Sequence, residues 1–212
     1  MSDARSEILA RVAAAGAWQT EPAERAYRVE GSLTAAARVE LFCERVADYR
    51  AEVRRVSSDG VAAEVTAVCA ERNANRLVVA PGLRPAWRPA EVELAADSGF
   101  AASELDGFDG VLTGATVAVA ATGTIVLTAG PEEGRRALTL VPDLHVCVVE
   151  EHRIVELVPE AIRSLAAVIR DERRPVTFIS GPSATSDIEL SRVEGVHGPR
   201  SLVVLVVADQ SR

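Results

Sequence analysis

Six consecutive aliphatic residues, Leu202 to Val207, constrain this chain more than any other feature. A strand that is apolar at every position has no face to offer water, so it belongs inside a sheet covered on both sides. Every longer apolar stretch is interrupted by Gly, Thr or charge, well short of the roughly 20 residues a membrane helix needs.

The covering layers are legible upstream. Val53 to Val56 alternates as a short strand. Asp59 then caps a helix that stacks Val61, Val65, Val68, Cys69 and Arg72, and Leu77 to Ala80 follows as a buried strand stopped by Pro81-Gly82. Strand, helix, strand predicts a βαβ unit and a parallel sheet with helices on its faces. His145 to Val149 is β-rich, and Pro159 opens a helix with Ile162, Leu165, Ala166 and Ile169 on one side. Val176 to Ile179 reads as another buried strand.

The middle of the chain differs. Val111 to Leu112, Val117 to Ala121 and Thr124 to Leu127 are closely spaced strands without helices between them. The T-G-T connection needs a small residue at Gly123, where φ turns positive.

Near the amino end, Ser2 or Asp3 caps a first helix with Ile8, Leu9, Val12 and Ala13 on one face, ended by Gly16. Trp18, Pro22 and Tyr27 lie in an extended link. A second helix starts at Ser32 and carries Leu33, Ala37, Leu41 and Phe42 inward. With 212 residues and no repeat or linker, the expectation is a single domain over 31–212, with the helix and link of 1–30 packed on it.

Composition excludes chemistry. All 23 basic residues are arginine, so a Schiff-base lysine, a pyridoxal-phosphate anchor and a P-loop lysine are impossible. Arginine can still clamp carboxylates and phosphates. A net charge of -8 without a basic patch argues against nucleic acid and anionic membranes. Cys43, Cys69 and Cys147 are scattered among apolar neighbours and offer no scaffold for a structural zinc or an iron–sulfur cluster; they read as small buried hydrophobes. No signal peptide or membrane span is apparent, which points to the cytoplasm.

The run F-I-S-G-P-S-A-T-S-D-I-E, Phe178 to Glu189, has a strand turning into a hydroxyl-rich helix start. Gly181 permits close backbone approach, Pro182 fixes φ, and Ser183, Thr185 and Ser186 lie where the free amides of a helix start point, so an anion could be held there. Equally, Ser183 or Thr185 simply caps a helix from Asp187 to Leu190. His197, in G-V-H-G-P with Gly198, is either an acid–base group or a loop histidine bonded to backbone. Ser183, Asp187 and His197 follow a hydrolase-like order, but no G-x-S-x-G elbow is present. Thr122, Gly123 and Thr124 are a ligand-facing turn or a plain β connection. Asp143 and His145 form a possible pair, with strand-edge packing the alternative, and His152 reads as solvated.

Together, V-L-T-G-A-T-V-A-V-A-A-T-G-T-I-V-L, A-L-T-L-V-P-D-L-H-V-C-V-V, the Gly-Pro-Ser run and G-V-H-G-P resemble the lactate-utilisation protein C family, whose members carry a LUD domain. The resemblance runs from about Asp109 to the end, looser before. It implies a three-layer α/β/α fold of the NagB/RpiA/CoA-transferase kind, mostly parallel with a β-rich middle. It also implies a subunit or accessory role in oxidising L-lactate to pyruvate, with no cofactor in this chain and iron–sulfur clusters on partner subunits.

The functional residues it implies are Thr122, Gly123, Thr124, Gly181, Pro182, Ser183, Thr185, Asp187, Glu189, His197 and Gly198, with His197 and Asp187 as catalytic candidates and Asp143 and His145 weaker ones. Many relatives read A-E-T-G-T; here Ala121 stands at the acidic position, which removes a covalent glutamate. The loops are expected to gather at the open edge of the sheet, where α/β folds bind ligands, with the Gly-Pro-Ser and T-G-T turns facing each other. The alternative is an independent enzyme or binding protein for a small anionic metabolite of phosphosugar, folate or thioester type.

Overall fold

The computed structural model describes residues 3–16, 26–185, 193–194 and 198–208. In chain order the first elements are α1 (Ala4–Ala14), α2 (Ala35–Asp48), β1 (Glu52–Val56), α3 (Val61–Glu71), β2 (Arg76–Val79), β3 (Glu93–Ala96) and the short α4 (Ala102–Leu105). Then come β4 (Gly110–Gly114), β5 (Val117–Val119), β6 (Thr124–Leu127), β7 (Leu144–Glu150), β8 (Ile154–Val155) and α5 (Val158–Ser164). The last are β9 (Thr177–Ile179), β10 (Ala184–Thr185), β11 (Val193–Glu194) and β12 (Ser201–Val207).

The central sheet has six strands in the order β1-β12-β7-β4-β2-β3, and every neighbouring pair is parallel. The all-aliphatic strand β12 lies inside it, between β1 and β7, as its composition requires. Val203, Leu205 and Val207 pack with Val61, Val65 and Val68 of α3. Leu202, Val204 and Val206 pack on the other face with Val39, Phe42 and Val46 of α2. A mostly parallel central sheet flanked by helices is the three-layer α/β/α arrangement expected.

The strand-rich middle does not extend that sheet. After β4 the chain leaves it, and β5 and β6 join β8 and β9 in a second, four-stranded sheet of order β8-β5-β6-β9. β5–β6 and β6–β9 are antiparallel, a pairing a tight turn can close, whereas a parallel pair needs a long crossover. Ala118, Ile125 and Leu127 press this sheet onto the α2 side of the central one. Ala161 and Leu165 cover its outer side, against Val117, Val119 and Val126.

Local expectations shift where packing outweighs pattern. α2 begins at Ala35, because Thr34 accepts a hydrogen bond from the Ala37 amide; Leu33 therefore stays outside the helix and exposed. Gly60, not Asp59, sits at the N-cap of α3; the Asp59 carboxylate bonds Ser57 instead, which holds its pKa low. α5 turns Ala161 and Leu165 inward and leaves Ile162 outside; Ile169, beyond its end, is exposed too. β9 is an edge strand with Phe178 46% exposed, rather than a buried strand.

Asp3 caps α1 by accepting from the Arg5 amide, and Gly16 follows at φ +67°. No residue of α1 is buried. Trp18 and Pro22 of the link lie outside the described residues. Residues 28–33 are pinned by Glu156, whose carboxylate accepts from the Ser32 and Leu33 amides and from Arg28. Among the described residues no helix is long and apolar enough to cross a membrane.

Candidate functional site

The Gly-Pro-Ser run lines a cavity of about 220 Å³ together with Arg136, Thr139, His145, Gly198, Pro199 and Leu202. His145 and Leu202 are the second residues of β7 and β12, so the cavity sits at the amino ends of these strands. The edge opposite, at the carboxyl ends of the strands, is where open α/β sheets generally hold their ligands.

The carboxyl edge is instead occupied by ion pairs. Arg84 donates from both terminal nitrogens to Glu150, each at 2.8 Å, and also reaches Glu132. Arg153 Nε lies 3.0 Å from Glu150, and its Nη1 donates to the Ala115 carbonyl. Glu150 closes β7 and Arg84 follows β2, so the strand ends themselves bring these charges together.

The two motif turns meet through hydroxyls. Thr122 Oγ1 lies 2.7 Å from Thr124 Oγ1, which lies 2.8 Å from Ser180 Oγ. Antiparallel pairing of β6 with β9 sets this contact, because it carries Thr124 alongside the end of β9. Gly123 has φ +56° and its Cα faces the Arg45 backbone of α2. Gly181 has φ +92° and abuts Tyr49 just beyond α2. Both glycines are thus required by close packing on one helix end.

Ser183 donates its amide to the Pro199 carbonyl at 2.8 Å, joining the Gly-Pro-Ser turn to the histidine loop beside Gly198 (φ +143°). The chain then continues as strand, Ala184–Thr185 pairing with Val193–Glu194, rather than turning at once into a helix. Asp187, Glu189, His197 and the helix expected from Asp187 to Leu190 lie outside the described residues.

Asp143 and His145 do not pair. Asp143 binds Arg200 in a separate depression shared with Arg72, Asp106 and Asp109. His145 is buried, with its Nε2 2.8 Å from Thr113 Oγ1 of β4. Burial, with a lesser push from the Arg136 guanidinium, lowers its pKa to about 3. Its ring is therefore neutral at pH 7 and lends the cavity no charge.

This burial has a measurable pH signature. An unfolded histidine titrates near pH 6.5, so between about 6.5 and 3 the unfolded chain takes up a proton that folded His145 refuses. Stability is complete above that window and falls as pH drops through it, by about 1.4 kcal/mol per pH unit once well inside. Urea midpoints at pH 7, 6 and 5 are expected to fall less steeply for His145→Gln than for the wild type; equal slopes would contradict the assignment. Asp97, Glu52 and Glu150, whose pKa values are lowered, add their own losses only at more acidic pH.

Arg136, Thr139 and Ser180 were not legible as site residues. Arg136 reads as half of a surface doublet, yet the doublet splits: Arg135 pairs with Asp97, while Arg136 donates to the Thr139 carbonyl and hydroxyl, each at 3.0 Å. Buried Glu133 shapes the loop before it by accepting from the Thr128 and Gly130 amides, and buried Leu138 anchors the turn after it. Only the sequence position of Ser180, next to Gly181, could have pointed to this corner.

The cysteines behave as buried hydrophobes more than as nucleophiles. Burial pushes the Cys69 thiol up to about 11 and that of Cys147 to about 12, so neither is ionised at neutral pH. Cys43 is only partly buried, and its pKa is raised mainly by that burial. Among the described residues no cluster of His, Cys, Asp and Glu is arranged to hold a metal ion.

A family model described as LUD domain matches residues 39–207. Lactate utilization protein C of Deinococcus radiodurans is 43% identical over 209 residues, spanning 97% of this chain and 96% of that protein. Lactate utilization protein C of Shouchella clausii is 33% identical over 101 residues, 47% of this chain and 44% of that one. Among solved structures, a DUF162 family protein from Deinococcus radiodurans superposes with a TM-score of 0.73 at 37% identity, covering 83% of this chain and 99% of that chain.

Proposed function

This chain belongs to the LUD domain family, and from that membership we propose that it is a subunit or accessory protein of a system that oxidises L-lactate to pyruvate. The observation that carries the reading is end-to-end similarity to a lactate utilization protein C, 43% identical across 97% of this chain. The redox clusters are assigned to iron–sulfur partner subunits, and the complex to the cytoplasm. Scattered, largely buried cysteines support that division of labour.

Within such a system the Gly-Pro-Ser corner is the recognition site. Gly181, Pro182 and Ser183 line its cavity with Gly198, and Thr124 ties the T-G-T turn to it through Ser180. Thr122, Gly123, Thr185, Asp187, Glu189 and His197 complete the proposed set, with Asp187 and His197 the groups assigned to proton transfer. Ala121 carries no carboxylate, so acyl transfer through a glutamate at that position has no part in the scheme. A second reading, a lone enzyme or binding protein for a small anionic metabolite, draws on the cationic lining of the same cavity.

Growth separates the two. Deleting the gene for this chain from its own host is expected to abolish growth on L-lactate and leave growth on pyruvate intact. Equal growth of the deletion strain and its parent on L-lactate would overturn the lactate assignment.

A further inference from the structure

In the described depressions along the two sheet edges, arginine is matched by acid. Arg200 meets Asp143, Arg84 meets Glu150, and Arg153 meets Glu132. The cavity at the amino ends of β7 and β12 breaks that pattern. Arg136 is the only formally charged residue among its described lining; the acid nearest in the adjoining depression, buried Glu133, spends its carboxylate on Thr116 and on the Thr128 and Gly130 amides. In a chain with 31 acidic and 23 basic residues, a cavity whose described lining carries a cation and no acid is a selective electrostatic feature.

Arg136 is also held in place. Its Nη1 is spent on the Thr139 carbonyl and hydroxyl, and Thr139 is buried, so part of the ordering entropy is lost before any ligand arrives. The rest of the wall is Phe178, Ile179, Pro182, Pro199 and Leu202, with the Ser180 and Ser183 hydroxyls. His145 adds a neutral ring instead of a second cation. About 220 Å³ is small against the roughly 300–1,000 Å³ of sites for drug-sized ligands.

We propose that this cavity binds a short-chain monocarboxylate, with its carboxylate against the Arg136 guanidinium and its short carbon chain against the proline and leucine walls. One positioned cation matches a singly charged planar carboxylate, which arginine engages in a bidentate way. A phosphate, doubly charged near neutral pH, would find one cation and an apolar surround. The assignment deepens the lactate-system reading and rests on it for the choice of probes.

The test is calorimetric titration of the purified full chain with L-lactate, pyruvate and acetate, and with inorganic phosphate as the contrast. Saturable binding of the monocarboxylates, tighter than phosphate, is expected. Arg136→Gln should weaken it about tenfold or more, the scale of a lost charge-assisted hydrogen bond, and Arg136→Lys should weaken it less. Arg55→Gln, which loses only a surface pair with Glu151, should leave it unchanged.

Circular dichroism melts confirm that each variant is folded, and were Arg136→Gln unfolded, the Lys and Arg55 variants would still decide. No saturable binding, tighter binding of phosphate, or equal affinity in Arg136→Gln would overturn the proposal. Failed titration beside lost growth on L-lactate rejects the ligand and keeps the function; clean titration beside normal growth rejects the function and keeps the ligand.

Discussion

Replacing Gly123 by valine is expected to destabilise the protein by roughly 3 kcal/mol or more, the range reserved for clashes and special backbone geometry. At φ +56° a β-branched residue is strained before any contact is considered. A Cβ there would stand 2.6 Å from the Arg45 carbonyl carbon and 2.8 Å from its oxygen. These are backbone atoms of α2, so relief requires moving the helix that buries Phe42 and Val46. Gly99 supplies the control: its φ is +98°, but nothing lies within 4 Å of a Cβ there. Urea denaturation should therefore place Gly123→Val well below Gly99→Val, and similar midpoints would show that the T-G-T turn does not bear on α2.

Leu205→Ala is expected to cost about 2–5 kcal/mol, the transfer energy of the lost atoms plus the cavity left behind. Leu205 is fully buried at the middle of β12, level with Arg54 on β1 and Val148 on β7. Its side chain meets the α3 layer with Val61, Val65 and Val68, and close-packed strands on both sides limit relaxation. Leu140, 39% exposed, gives the comparison: Leu140→Ala should stay within about 0.5 kcal/mol of wild type. A Leu205→Ala loss under about 1 kcal/mol, with an unchanged urea slope, would argue against an interior β12.

The central sheet was legible because its signals are local and redundant. An all-apolar strand has one tolerable environment, and Val61, Val65 and Val68 share one helical face that can cover it. The second sheet was not legible. β5 and β6 are as apolar as β4, and composition cannot say which sheet a short buried strand joins. Phe178 carries the same lesson: an aromatic in a β-rich run reads as core, but an edge strand leaves one face to solvent.

The site divides along the same line. Glycines forced by positive φ and close approach, Gly123 and Gly181, stand out in sequence because few other residues fit them. Arg136 does not, since it is one of 23 arginines and its place in a cavity with no acid among the described lining is a property of the fold alone. Asp143 and His145 look paired because residues two apart share a face of a strand, yet Asp143 lies just before β7 and turns to Arg200, while His145 lies within the strand and meets Thr113.

The account stands most directly on the company this chain keeps. Affinity purification of the tagged chain from lactate-grown cells, followed by iron analysis and identification of the bound proteins, is predicted to recover cysteine-rich iron–sulfur proteins in stoichiometric amount together with L-lactate-oxidising activity. Recovery of the chain alone, free of iron and of any such partner, would contradict the subunit reading.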